Sequence, residues 1–138
     1  MNHTIETNEQ YALLRLNEPQ FAGDVPTEFE TFCRGLLREG HSNIIVDMAA
    51  VQTVDGAGVN ALRKITRQCM NELGLLVLVT KNDDLTDFLE DARIADMTLL
   101  PTVEEAIDAV FMHELENDFR SGDDEYDGEL GSGRESDY

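Results

Sequence analysis

Two hydrophobic periods alternate along this chain. Short, nearly unbroken apolar runs fall at residues 11–16 (YALLRL), 43–48 (NIIVDM), 75–80 (LLVLVT) and 97–100 (MTLL). Runs of this length and continuity predict strands buried on both faces of a sheet. Between them apolar residues recur at spacings of three and four, which predicts amphipathic helices. The first such set is Phe29, Phe32, Cys33, Leu36 and Leu37, stopped by Gly40. The second is Val59, Leu62, Ile65, Thr66, Cys69 and Leu73, ending before Gly74. A third carries Leu85, Phe88, Leu89 and Ala92, and a last one Ala106, Ile107, Val110 and Phe111. Start signals agree with these spans. Pro26 suits a first helical turn with Asp24 as cap, Asn82 or Asp83 caps the third helix, and Thr102 with Glu105 reads as a capping box.

The resulting order, strand and helix alternating four times, predicts an α/β layer structure with at least part of its sheet parallel. Residues 1–9 are polar and read as a flexible N-terminus, and residues 10–117 form the domain. Residues 17–24 make a loop punctuated by Pro19 and Gly23. From residue 118 onward Asp118, Asp123, Asp124, Glu125, Asp127, Glu129, Glu135 and Asp137 face only Arg120 and Arg134, among Gly and Ser. This stretch, 118–138, is expected to be a disordered acidic tail.

Charge narrows the choice of partner. The formal net charge of −19 argues against nucleic acid and against an anionic membrane surface, both of which would repel the chain. No apolar run approaches the length of a membrane span, and no secretory signal opens the chain. Cys33 and Cys69 both fall inside helical patterns, so a disulfide framework is not expected and a cytoplasmic address is. His3, His41 and His113 are scattered and neither cysteine stands at ligand spacing, so no metal and no cofactor is expected. The tail carboxylates lack the register of a calcium loop, and Gly56-Ala57-Gly58 is too short for a dinucleotide fingerprint. With no nucleophile–base pair, the chain reads as non-enzymatic.

The candidate site is the turn Asp55, Gly56, Ala57 and Gly58, placed between the second strand and the second helix. Small residues at such a junction let backbone N–H groups at a helix start face solvent or a partner. Asp55 is expected to cap the helix. Asn60, Arg63, Lys64 and Arg67 lie on the helix face opposite its apolar side, gathering three of the ten basic side chains next to the turn. That face suits either a partner with acidic groups or the chain's own acidic tail.

Four stretches together resemble a STAS domain, the fold of sulfate transporter cytoplasmic modules and of anti-sigma factor antagonists. They are Asn43-Ile44-Ile45-Val46-Asp47, the turn Val54–Gly58 running into Leu62, the strand Gly74–Val79, and Pro101-Thr102-Val103-Glu104-Glu105-Ala106. Their order and spacing carry the likeness over roughly residues 10–112. The resemblance implies a STAS-like small mixed sheet of about four strands with about four helices. In antagonists of the family the turn reads Asp-Ser-small-Gly, or Thr for Ser, and a partner kinase that doubles as an anti-sigma factor phosphorylates the hydroxyl. By that match the acceptor position falls on Gly56, which has nothing to phosphorylate, and Thr53 lies three positions too early to replace it. The resemblance therefore implies a protein-binding module fixed in the unphosphorylated form, whose partner is an anti-sigma factor or related kinase-type ATPase. It also places the loop Asn17–Asp24 at the edge of the turn, with Phe21 as an exposed contact. The alternatives are a STAS subunit docked on transporter subunits, and a signalling scaffold.

Overall fold

The computed structural model describes residues 1–127, with side chains through Asp118. The chain runs β1 (His3–Thr7), β2 (Ala12–Leu16), β3 (Gln20–Phe21), α1 (Val25–Arg38), β4 (Ile44–Asp47) and β5 (Thr53–Val54). It continues with α2 (Gly56–Asn71), β6 (Leu76–Val79), α3 (Asp83–Asp91), β7 (Thr98–Leu100) and α4 (Val103–Asp127). The main sheet has the order β1-β2-β4-β6-β7, and β3 pairs with β5 in a separate two-stranded sheet. β1 is antiparallel to β2, and the pairs β2–β4, β4–β6 and β6–β7 are parallel.

Strand pleating divides the core in two, because successive side chains point to opposite faces. Ala12, Leu14, Leu16, Ile44, Val46, Leu76 and Leu78 meet Phe29, Cys33, Leu62, Ile65, Cys69, Leu85 and Leu89 from α1, α2 and α3. The alternate residues Leu13, Ile45, Val77 and Val79 meet Ala106 and Val110 of α4. This double coverage is why the strand runs read as almost continuously apolar. Cys33 and Cys69 are free thiols within the larger cluster. Burial, with Cys69 close by, pushes the Cys33 thiol well up, and burial pushes Cys69 up to about 12, so neither forms a thiolate near neutral pH.

Several sequence expectations change. The N-terminus expected to be flexible contains β1, which pairs along its whole length, His3 opposite Leu16 through Thr7 opposite Ala12. As a polar edge strand with Ile5 as its one large apolar residue, it carries no alternating pattern. It brings the main sheet to five strands where about four were expected. Asp24 stands at the α1 cap position but makes no side-chain cap hydrogen bond, whereas Asn82 accepts from the Leu85 N–H and Thr102 from the Glu105 N–H. Phe88 and Phe111, assigned to apolar helix faces, are exposed. Helix α4 runs to Asp127, through the first part of the segment expected to be a disordered tail. Extending an established helix costs far less than starting one. Residues 128–138 of that expected tail lie outside the described residues. Among the described residues no helix is long and apolar enough to cross a membrane.

One buried amide ties the start of the parallel sheet together. Asn43, 3% exposed, donates from Nδ2 to the Gln10 carbonyl (2.9 Å) and to Glu114 Oε2 of α4 (2.8 Å), and its Oδ1 accepts from the Leu75 N–H (3.0 Å). It thus joins the chain entering β2, β4 and β6 to the helix on the far face. Replacing it removes the side-chain partner of the half-buried Leu75 N–H and Gln10 carbonyl and of Glu114. Asn43→Ala is expected to cost about 2–4 kcal/mol, read as a lowered urea midpoint with unchanged slope.

Candidate functional site

The turn is built by a close approach. Phe21 and Val54 are paired neighbours in β3 and β5, and the Asp55 N–H donates to the Phe21 carbonyl (3.3 Å). Helix α2 then starts directly over this pair. A Cβ on Gly58 would lie 2.6 Å from the Phe21 carbonyl oxygen, 2.7 Å from Val54 Cγ1 and 2.8 Å from Phe21 Cδ2. Only glycine fits there without displacing backbone. Asp55 Oδ1 accepts from the Gly58 N–H at 2.7 Å, capping the helix as expected. The first N–H groups of the helix, those of Gly56 and Ala57, have no intrahelical acceptor and sit at its positive end.

Gly56 contrasts with Gly58. Asp55, Gly56 and Ala57 are exposed, and a Cβ on Gly56 would have nothing within 4 Å. Nor does its backbone adopt the left-handed conformation that favours glycine. The position matched to the family's phospho-acceptor is therefore open to solvent and sterically able to carry a side chain. Of the hydroxyls near the turn in sequence, Thr53 is exposed on β5, whereas Thr66 is buried and donates to the Leu62 carbonyl (2.7 Å).

The basic face is only partly free. Asn60, Lys64 and Arg67 are exposed along α2 at spacings of four and three, beginning one turn after the turn residues. Lys64 Nζ approaches Glu30 of α1 at 3.8 Å, and that carboxylate also accepts from Arg34 at 2.8 Å. Arg63 is half-buried; it donates to Asn60 Oδ1 (3.0 Å) and, 29 residues away, to the Ala92 carbonyl at the end of α3 (3.2 Å). Its guanidinium thus closes the C-terminus of a neighbouring helix.

Phe21 is a correction. The loop Asn17–Asp24 does run beside the turn, since the Pro19 carbonyl accepts from Gln52 and Phe21 pairs with Val54. The Phe21 ring, however, is 0% exposed and packs edge-to-face on Phe29 (centroids 5.1 Å apart, 87° between planes), so it is no partner contact. An aromatic beside Pro and Gly in a short loop reads as exposed, but the loop contains a strand that turns the ring inward.

A neighbouring feature was missed. Gln52, Thr53, Val54, Asp84, Leu85 and Phe88 line a depression of about 280 Å³ directly before Asp55, and the Phe88 ring is 46% exposed. Periodicity placed Phe88 in the apolar face of α3 with Leu85, Leu89 and Ala92, and spacing alone does not separate core from rim. Among the described residues no group of His, Cys, Asp and Glu stands together as a metal site.

A family model described as the STAS domain matches residues 2–106. No curated protein matches the sequence. Among solved structures, an anti-sigma factor antagonist from Mycobacterium paratuberculosis aligns with a TM-score of 0.69 at 14% identity, covering 79% of this chain and 92% of that one. The unphosphorylated form of the Bacillus anti-sigma factor antagonist SpoIIAA aligns at 0.64 and 17% identity, covering 79% and 97%. The murine anion transporter Slc26a9 in its inward-facing state aligns at 0.59 and 18%, covering 78% of this chain and 18% of the transporter. At these identities the likeness shows the fold alone.

The two glycines of the turn are expected to respond in opposite ways to alanine. Gly58→Ala forces a methyl into the Phe21 carbonyl and should destabilise by about 1–3 kcal/mol or more. Gly56→Ala fills open space at a helix start and should be neutral or stabilising by up to about 1 kcal/mol. Paired urea denaturation curves read both.

Proposed function

The chain belongs to the STAS domain family, and on that premise we propose that it is a non-enzymatic protein-binding module of the anti-sigma factor antagonist kind. Its recognition surface is the exposed turn Asp55–Ala57 over Gly58, continued by Asn60, Lys64 and Arg67. Arg63 contributes by holding α3 beside it. The partner class is an anti-sigma factor or related kinase-type ATPase, met in the cytoplasm.

The observation that carries this reading is the contrast between Gly58 and Gly56. The glycine that shapes the turn is packed against backbone, while the one at the acceptor position is exposed with nothing around it. Neither packing nor backbone conformation requires glycine at position 56, so this exposed place on the turn is free to face a partner. With no hydroxyl at Gly56, no phosphate can bring its charge of nearly −2 to this position. The module accordingly stays in the binding-competent form, and its control lies in its own abundance or in its partner's state.

A second reading is a STAS subunit of a membrane transport complex. It is favoured by the same absence at Gly56, because docking on a transporter needs no acceptor, and it is compatible with the shared fold of the anion transporter.

Affinity capture from native cells separates the two. The antagonist reading predicts recovery of a kinase-type ATPase by the wild type and by Gly56→Ala, and at least about tenfold less by Gly56→Glu, whose charge occupies the open position. Recovery of transporter subunits supports the second reading. Equal recovery of the ATPase by Gly56→Glu removes the turn from the interface.

A further inference from the structure

Among the described residues, helix α4 packs one face. Val103, Ala106, Ile107 and Val110 lie against the sheet, and Glu114 reaches Asn43. His113 Nε2 (3.1 Å) and Asn117 Nδ2 (2.8 Å) both meet the Leu73 carbonyl. Met112 and Leu115 point away from these, and Phe111 flanks them one turn after Ile107; the three are 60%, 54% and 44% exposed. Their spacings of three and four make one continuous stripe on the outer side of the helix. Large apolar side chains scattered singly are ordinary, whereas these three adjoin one another on one helix as a contiguous apolar patch.

Charge selects the occupant. Between Val103 and Asp118 the helix carries Glu104, Glu105, Asp108, Glu114, Glu116 and Asp118, and no Lys or Arg. Asp108 precedes the stripe by one turn, and Glu116 and Asp118 follow it, all three exposed. A second copy of this chain would bring the same carboxylates and a further −19 of charge against this rim. An anionic membrane surface would be repelled in the same way.

We propose that the outer face of α4 is a docking site for a basic amphipathic helix of a partner protein. Apolar side chains of that helix cover Phe111, Met112 and Leu115, and its flanking Lys or Arg residues pair with Asp108, Glu116 and Asp118. This is the helix-on-helix mode in which anchors at spacings of three and four carry the contact and charges fix the orientation. The site lies across the sheet from α2, so it is independent of the turn and leaves that surface free.

The test uses the full chain and two synthetic amphipathic peptides, one of leucine and lysine, the other of leucine and glutamate. Amide-shift mapping should place the lysine peptide on residues Asp108–Asp118, and the glutamate peptide should not bind. The decisive variants are Leu115→Asp and Met112→Asp, both at exposed positions, with folding checked by circular dichroism. Each adds negative charge, so purely electrostatic attraction of a cationic peptide would hold or tighten, whereas docking on the stripe should weaken by about tenfold or more. Unchanged or tighter binding, shifts spread over other acidic surfaces, or sedimentation showing that two copies pair through α4 would each overturn the proposal.

Discussion

The candidate site rests on the approach of Gly58 to the Phe21 carbonyl. Because no side chain separates them, the first turn of α2 sits directly on the β3–β5 pair, and Phe21 is driven against Phe29 in the core. That seating holds Asp55 where its carboxylate closes on the Gly58 N–H, and it leaves Gly56 and Ala57 at the rim. A bulkier residue at position 58 would lift the helix start and loosen the cap together. The exposed turn owes its shape to a buried contact.

The sheet separates two surfaces of different character. On one side α1, α2 and α3 cover the larger core and present the turn with Asn60, Lys64 and Arg67. On the other, among the described residues, α4 covers the smaller core and shows an acidic outer face. Asn43 spans the two, bonded to the strand starts and to Glu114 of α4. Arg38, Lys64 and Arg67 are exposed on α1 and α2, whereas Val103–Asp118 of α4 carries no Lys or Arg, so the two faces differ in charge.

The sequence disclosed most where burial was complete. Strands β4 and β6, covered on both faces, leave short apolar runs whose length and β-branched content favour strands over buried helix. The spacing of small residues after β5 marks the turn, although not the contact that makes Gly58 necessary. β1 was invisible because an edge strand is free to be polar. Phe21 misled because a two-residue strand is too short to show alternation, and the ring's direction depends on the distant Val54. Arg63 gave no signal of its role, since its acceptor, the Ala92 carbonyl, lies 29 residues on and belongs to the backbone.

The proposal on which the rest turns is that Gly56 stands at the family's phospho-acceptor position on a partner-binding surface. The direct measurement is phosphotransfer to Gly56→Ser by the captured ATPase with ATP, followed by binding of the modified protein. The account predicts phosphate on the introduced serine and release of the partner once it is added. A partner that leaves the serine unmodified, or binds both forms equally, would contradict it.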